Sequence, residues 1–321
     1  MRGLFYSVNM KILYYSNNFI AGNNGRENAL KNFRVYLSVI AVIIMLVSQA
    51  SAMEYRNLND GRKIPVLGLG TWTLNNSQAA DLVYIAIKSG YRLIDTARYY
   101  GNESGVGQGV RRAIREGIIR RDEIFITSKI IPGINNYDSA INESNKNLGL
   151  EYIDLMLIHQ PGYNDENLYK ALERGVNAGI IKSIGISNYY TPAEFERIAK
   201  ISSIIPAIVQ NENHIFYQNS DLQKYLTRYG TIIESWYPFG GRGSAREILN
   251  NPAIKKIAAS HKKTSAQIIL RWQIQAGYIV IPGSSNPEHI RENINVFDFE
   301  LTPCEMNIIK NLNRNKRFEN W

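Results

Sequence analysis

From Val66 onward the chain alternates between short uninterrupted apolar runs and stretches whose apolar positions recur at helical spacing. Residues 66–71 predict a strand, and Ala79, Leu82, Val83, Ala86 and Ile87 predict a helix that Gly90 stops. The runs 91–95, 124–129, 153–159, 181–187, 206–210, 231–236 and 278–281 predict seven more strands. Helices are predicted between them: through Val106, Val110, Ala113 and Ile114, near 138–148, over 165–178, after Thr191, near 219–229, over a longer stretch of about 245–276, and after Asn286. Two helix starts are strongly marked. Thr191-Pro192-Ala193-Glu194 is a capping box with proline at the first helical position, and Asn286-Pro287-Glu288 again joins a cap to a proline.

Strands that are apolar throughout, each followed by a helix, indicate a parallel sheet buried on both faces. Eight such units in about 230 residues fit an α/β fold, a single-domain (β/α)8 TIM barrel. An open doubly wound sheet is the alternative. In a barrel of this kind the chemistry sits at the C-terminal ends of the strands. Those ends read Thr71-Trp72, Asp95, Lys129, His159, Ser187-Asn188, Gln210 and Trp236. One polar strand end is ordinarily a satisfied core group; seven converging on one rim are hard to explain by packing.

Asp95, Lys129 and His159 close the second, third and fourth runs, so their side chains can meet. Alone, Asp95 reads as a helix cap, Lys129 as a surface lysine and His159 as a hydrogen-bonded core imidazole. Together they suggest a buried ion pair beside an imidazole. Tyr100 follows Asp95 by five residues and can reach the same mouth, and Tyr99 competes with it on residues alone. A nearby ammonium favours phenolate and is expected to lower a phenol's pKa from its usual value near 10. Such a phenol can protonate a carbonyl oxygen.

Composition narrows the field. The chain has 321 residues, 45% of them hydrophobic, which is ample for a large core. One cysteine, Cys304, excludes an internal disulfide and a thiolate-rich metal site. The four histidines are scattered without an HExxH pattern, so no metal is expected. Of the net charge of +9, residues 1–52 supply +4, with five basic residues against one Glu; the remaining +5 is dispersed and implies no nucleic acid.

Residues 1–52 are a different kind of sequence, and the folded unit is expected over 53–321. The apolar run 37–47 is short of the roughly 20 residues of a membrane span. With Lys31 and Arg34 before it and Ala50-Ser51-Ala52 after it, it reads as signal-peptide-like. The other reading is that translation begins at Met53 and that 1–52 is upstream sequence in frame.

The motifs LNDGRKIPVLGLGTW (58–72), GYRLIDTARYYGNE (90–103), IFITSK (124–129), YIDLMLIHQP (152–161), GIIKSIGISN (179–188), ESWYPFG (234–240) and IPGSSNPEHIRENINVFDF (281–299) resemble the successive signatures of the aldo-keto reductases. The likeness is to bacterial-type members such as diketogluconate and glyoxal reductases. It spans 56–321 in order. It implies NAD(P)H-dependent reduction of aldehydes or ketones, with Tyr100 rather than Tyr99 as proton donor. Lys129 and Asp95 would tune it and His159 would orient the carbonyl. It also implies that Ser187, Asn188 and Gln210 hold the nicotinamide carboxamide and that Trp236 stacks on the ring. Thr71 and Trp72 would lie at the cofactor and substrate edge, and Ser284, Ser285, His289, Glu292 and Asn293 around the adenosine end. GVGQGV (105–110) is no dinucleotide fingerprint, because Val110 stands where glycine is needed; its glycines are expected to permit close packing.

Several positions depart from the family pattern. Gly283 and His289 stand where a lysine and an arginine usually meet the adenosine 2′-phosphate. NADPH is expected from the family, and NADH use follows from the loss of both cations. Gln160 replaces a common tryptophan beside His159, Phe239 a leucine and Tyr237 a serine. Gln160 predicts a cleft that is wider and more polar on its side, and these features favour small, open, polar carbonyl compounds such as keto-sugars, methylglyoxal-like dicarbonyls or diketo acids. The expected partner is that small molecule alone, with the chain a monomer and a membrane involved only if the leader is retained. Cofactor recycling favours the cytoplasm; export or tethering through 31–52 is the alternative. Two other functions are compatible with parts of the pattern: a Schiff-base lyase using Lys129, and a nucleotide-binding regulatory subunit with little turnover.

Overall fold

The computed structural model describes residues 53–241 and 243–319. The leader, residues 1–52 with its apolar run, lies outside the described residues, and so does its proposed role. Among the described residues no helix is long and apolar enough to cross a membrane.

Eight strands form one all-parallel sheet in chain order: β3 (Leu69–Gly70), β4 (Leu93–Asp95), β5 (Phe125–Ile130), β6 (Ile153–Ile158), β7 (Ile181–Ser187), β8 (Ile208–Glu212), β9 (Ile232–Trp236) and β10 (Ile279–Val280). The two edges meet. Leu67 bridges Val280 and Gly70 bridges Gly283, both in parallel, and the Gly68 amide donates to the Val280 carbonyl at 2.8 Å. The sheet is therefore the closed barrel that the alternating pattern predicts, and no edge strand is left open.

Helices lie between the strands where apolar periodicity places them. Helix α1 (Asn76–Ser89) opens with Asn75 and Gln78 in a capping box and closes on Gly90 at φ 109°. Helix α2 (Glu103–Arg115) carries the glycines of the GVGQGV motif. A Cβ on Gly107 would land on the Leu148 carbonyl oxygen, one on Gly105 on that of Asn76, and one on Gly109 would lie 2.6 Å from that of Ala80. These glycines let neighbouring backbones approach.

The stretch 245–276, expected as one long helical region, is three helices: Ala245–Leu249, Pro252–His261 and Ser265–Gln275. Asn251 caps the second, with Pro252 in its first turn, and Lys262 takes the left-handed region at φ 54°. Thr264 and Gln267 then form a fresh capping box. Apolar positions recur across these breaks because all three helices contribute to one cluster, with Ile248, Ile254, Ile257, Ile268 and Trp272 among its members.

An N-terminal hairpin, β1 (Tyr55–Asn57) with β2 (Lys63–Pro65), has no counterpart in the predicted elements. Its Leu58 and Ile64 pack with Leu93, Phe125, Leu155, Ile208 and Ile279, residues at or near the starts of the barrel strands. The hairpin thus plugs the N-terminal end of the barrel with apolar side chains. The few polar contacts at this end, such as Ser183 Oγ donating to Asp60 Oδ2 at 2.5 Å, tie the hairpin to the strands, and the buried Lys129–Asp95 ion pair lies at the opposite mouth.

Replacing Gly107 with alanine should force the α2 backbone away from Leu148 and destabilise the chain by about 1–3 kcal/mol, as overpacking does. Urea denaturation measures this; an unchanged midpoint would contradict the packing role.

Candidate active site

The C-terminal mouth opens into a cavity of about 570 Å³. At its floor, on adjacent strands, lie Asp95 and Lys129. Lys129 Nζ donates to Asp95 Oδ1 at 2.6 Å, to the Thr96 carbonyl at 3.0 Å and to the Tyr100 hydroxyl at 3.1 Å. Both charges are almost wholly buried, at 1% and 2% exposure. Tyr100 sits on a single 3-10 turn, Arg98–Tyr100, that ends on Gly101 at φ 68°. Its neighbour Tyr99 points outward, 61% exposed, with its ring 6.1 Å from that of Trp72. Contact with Lys129 therefore separates the two tyrosines, which their sequence positions alone leave open.

His159 stands edge-on to Tyr100, ring centroids 5.5 Å apart. Its Nδ1 is buried without a partner, leaving Nε2 as the ring nitrogen open to the cavity. Burial, reinforced by the Lys129 charge, pushes the imidazole down to about 3. It is neutral at any ordinary pH.

The expected acidification of the phenol needs correcting. Lys129 does pull Tyr100 toward phenolate, but burial opposes it more strongly, and the net shift is upward. Tyr100 is thus a neutral phenol with an intact proton. For Lys129 burial works against the charge, but the Asp95 carboxylate and the Tyr100 hydroxyl outweigh it and hold the ammonium above its usual range. A lysine held charged in an ion pair is the reverse of what Schiff-base chemistry requires.

A second group of side chains forms the wall. Asn188 adopts φ 67°, and its Nδ2 donates to the His159 carbonyl at 2.8 Å. Its Oδ1 accepts from Trp236 Nε1 at 3.2 Å and from the Tyr190 hydroxyl at 3.1 Å. Ser187 Oγ donates to the Gln210 carbonyl at 2.8 Å. Gln210 Nε2 donates to Asp95 Oδ2 at 2.7 Å and to Glu234 Oε2 at 2.8 Å. Both amide hydrogens are then engaged, and the side-chain oxygen is left to the cavity. A flat ring bearing a primary amide fits this wall: Trp236 offers an aromatic face, Gln210 an acceptor, and Asn188 an N–H whose only other contact is a long one of 3.3 Å to Ser187 Oγ.

Trp72, Gln160, Ser284 and Ser285 also line the cavity. Thr71 lies beneath it, its hydroxyl donating to the Asp95 carbonyl at 2.9 Å. The other adenosine-end candidates do not reach the cavity wall. His289 Nδ1 is 3.4 Å from Ser284 Oγ, Glu292 accepts from Thr264 Oγ1 at 2.6 Å, and Asn293 is buried on the short helix Pro287–Asn293. Arg291 pairs with Glu288. Among the described residues lining the cavity there is no lysine or arginine. Gln160 lines one side, and Trp72, Tyr99, Tyr100, Trp236, Tyr237 and Phe239 place six aromatic side chains around the rest of the cavity.

Two supporting residues escaped sequence reasoning. Asn102 ties the Tyr100 turn down, donating to the Thr71 and Leu74 carbonyls at 2.9 Å and accepting from Thr96 Oγ1 at 2.7 Å. Glu234, in the ESWYPFG run, is completely buried beside Gln210. No local pattern marks either one. Among the described residues no cluster of His, Cys, Asp and Glu could hold a metal ion.

A closed barrel with a tyrosine, lysine, aspartate and histidine at its C-terminal mouth defines the reductase class of (β/α)8 proteins. The chain belongs to the aldo/keto reductase family, whose profile matches residues 66–314. It is 39% identical over 301 residues to the NAD(P)H-dependent D-xylose reductase I,II of Candida tropicalis, covering 81% of this chain and 93% of that protein. It is 40% identical over 265 residues to the 9,11-endoperoxide prostaglandin H2 reductase of Trypanosoma cruzi, covering 81% and 92%. Among solved structures, an aldo/keto reductase from Brucella melitensis superposes with a TM-score of 0.76 at 38% identity, over 82% of this chain and 99% of the other. A Bombyx mori aldo-keto reductase in complex with NADP gives 0.79 at 33% identity, over 84% and 96%.

The depressed imidazole sets an expectation. A base whose pKa lies near 3 stays neutral at every higher pH, so His159 should show no titration between pH 4.5 and 8 in ¹H–¹⁵N spectra of the imidazoles. A midpoint near 6.5 would place it in water rather than in the wall.

Proposed function

We propose that this chain reduces small aldehydes or ketones to alcohols with NADPH, accepting NADH as well, and that Tyr100 delivers the proton. The observation that carries this is the 3.1 Å contact between the Tyr100 hydroxyl and a buried Lys129 that Asp95 anchors at 2.6 Å. The bound nicotinamide supplies a hydride to the carbonyl carbon. The remaining work falls to side chains of the chain itself. His159 Nε2 and the Tyr100 hydroxyl face the cavity together, so both can donate to one carbonyl oxygen and fix its position. As charge builds on that oxygen, Tyr100 gives up its proton. The Lys129 ammonium stabilises the phenolate left behind. Asp95 keeps the ammonium in place. Trp236, Asn188, Ser187 and Gln210 form the wall that would hold the carboxamide-bearing ring. Trp72 and Gln160 would bound the substrate, and Ser284, Ser285, His289, Glu292 and Asn293 would surround the adenosine end.

Among the described residues the cavity wall carries no lysine or arginine, and Ser284, Ser285 and the neighbouring His289 stand at its adenosine end, which supports use of both cofactors. A regulatory role without turnover gives the Lys129–Tyr100 contact no use beyond completing the ammonium's hydrogen bonding. The need to recycle a soluble cofactor supports a cytoplasmic location.

Tyr100→Phe should retain cofactor affinity, measured by fluorescence titration, and lose about 10²–10⁴-fold in kcat for carbonyl reduction. Turnover at the parental rate would exclude Tyr100 as the donor. His289→Arg should raise the ratio of kcat/KM for NADPH over NADH about tenfold, by adding a charge-assisted contact worth roughly 1.4 kcal/mol. An unchanged ratio would place the 2′-phosphate elsewhere.

A further inference from the structure

Beneath the wall lies a carboxyl group that the reduction just described does not use. Glu234 sits on β9 in register with Gln210 on β8 and Ile279 on β10, and it is fully buried. Its Oε2 accepts one hydrogen of the Gln210 amide, at 2.8 Å, while Asp95 Oδ2 accepts the other, at 2.7 Å. Its Oε1 has no partner at all. A buried unsatisfied oxygen next to an ion pair is costly and calls for an explanation. Packing alone does not supply one, because an apolar side chain would fill the same space without the penalty.

We propose that Glu234 is a positioning residue for the nicotinamide subsite: with Asp95 it captures both hydrogens of the Gln210 amide, turns the Gln210 oxygen toward the cavity, and places a carboxyl group whose charge state favours one redox form of the cofactor. The amide orientation follows from donor and acceptor counting. With Nε2 shared between two carboxyl groups, Gln210 can only accept from a ligand, and a carboxamide NH2 is the matching donor. The inference rests on the proposed reduction, since it assumes that a nicotinamide occupies this wall.

The second part follows from charge. The groups facing Glu234 are Gln210 and Ile279 on the adjoining strands, Asp95 on β4 and Lys129 on β5, with Tyr100 and His159 beyond them. Glu212, two residues along β8, is committed to His214 and to the Phe318 and Glu319 amides. Asp95 and Lys129 cancel, so Glu234 decides the net charge of the cluster. Burial, and then the Asp95 charge, push its carboxyl up to about 8. His159 titrates far below that and Tyr100 above its usual 10. Burial raises the Asp95 carboxyl as well, against the pull of Lys129. The two carboxyl groups share the Gln210 amide, so the proton lost between pH 7 and 9 belongs to the pair, and Glu234, the member without an ammonium partner, is the one that holds it. Below that range Glu234 is neutral. Above it a negative charge sits under the nicotinamide, which attracts the cationic oxidised ring and is indifferent to the neutral reduced one.

The test measures Kd for NADP+ and for NADPH by fluorescence quenching from pH 6.5 to 9.5. The adenosine and phosphate contacts are common to both, so the ratio Kd(NADP+)/Kd(NADPH) isolates the ring. In the parental protein the ratio should fall on the order of tenfold across the range. In Glu234→Gln it should be flat, with both cofactors still bound. A flat ratio in the parental protein, or the same pH dependence in Glu234→Gln, would overturn the role of Glu234. If Glu234→Gln fails to fold, the parental pH dependence still decides, read together with loss of a protonated-carboxyl infrared band over the same range; a band that persists to pH 9.5 would overturn the proposal. Failure of the parental protein to bind either cofactor at pH 7 would instead reject the proposed reduction itself.

Discussion

The ion pair between Lys129 and Asp95 is the constraint around which the mouth of the barrel is organised. Two opposite charges lie 2.6 Å apart with almost no access to water. Desolvating both is expensive, and deleting either partner would strand the other at a cost of about 3–5 kcal/mol. The surroundings complete the pair's hydrogen bonding. The Thr96 carbonyl and the Tyr100 hydroxyl take the remaining ammonium protons, and the Gln210 amide takes the second carboxylate oxygen. Tyr100 is therefore part of what makes the lysine tolerable, as well as the group the lysine influences. Glu234 extends the same logic one side chain further through the other hydrogen of Gln210.

The rest of the fold makes this arrangement affordable in stability. The hairpin covers the far end with Leu58 and Ile64, away from the mouth that holds the ion pair. Around that mouth the backbone is locally strained. Thr73, Asn188 and Tyr237 all line the cavity, and all have positive φ, at 75°, 67° and 50°. Asparagine visits that region with little penalty, whereas a β-branched threonine and a bulky tyrosine do so at a cost. Such conformations persist only where a rigid frame imposes them, and eight paired strands closed on themselves provide one.

Much of this was legible in the sequence, and the reasons are physical. Continuous apolar runs report burial on both faces, so the barrel and its polar strand ends could be read directly; 181–187 matches its strand and Thr191 its cap. The hairpin was not legible, because three-residue strands carry too little alternation to stand out. The three helices within 245–276 merged because all of them feed apolar side chains into one cluster, so the apolar positions run on past the caps. The direction of the Tyr100 shift depends on a balance between burial and one charge, and sequence reveals the charge but not the depth. Asn102 and Glu234 act through contacts to residues far away in the chain, so no local motif announces them.

The central claim is that Lys129 makes a buried phenol easier to ionise at the moment the carbonyl oxygen needs a proton. Ultraviolet difference titration of tyrosinate, comparing the parental protein and Lys129→Met each against its Tyr100→Phe counterpart, isolates the Tyr100 hydroxyl. The account predicts that removing the ammonium moves Tyr100 ionisation to higher pH, because the charge and the hydrogen bond that favour phenolate are gone. An unchanged midpoint, or one moved to lower pH, would contradict it.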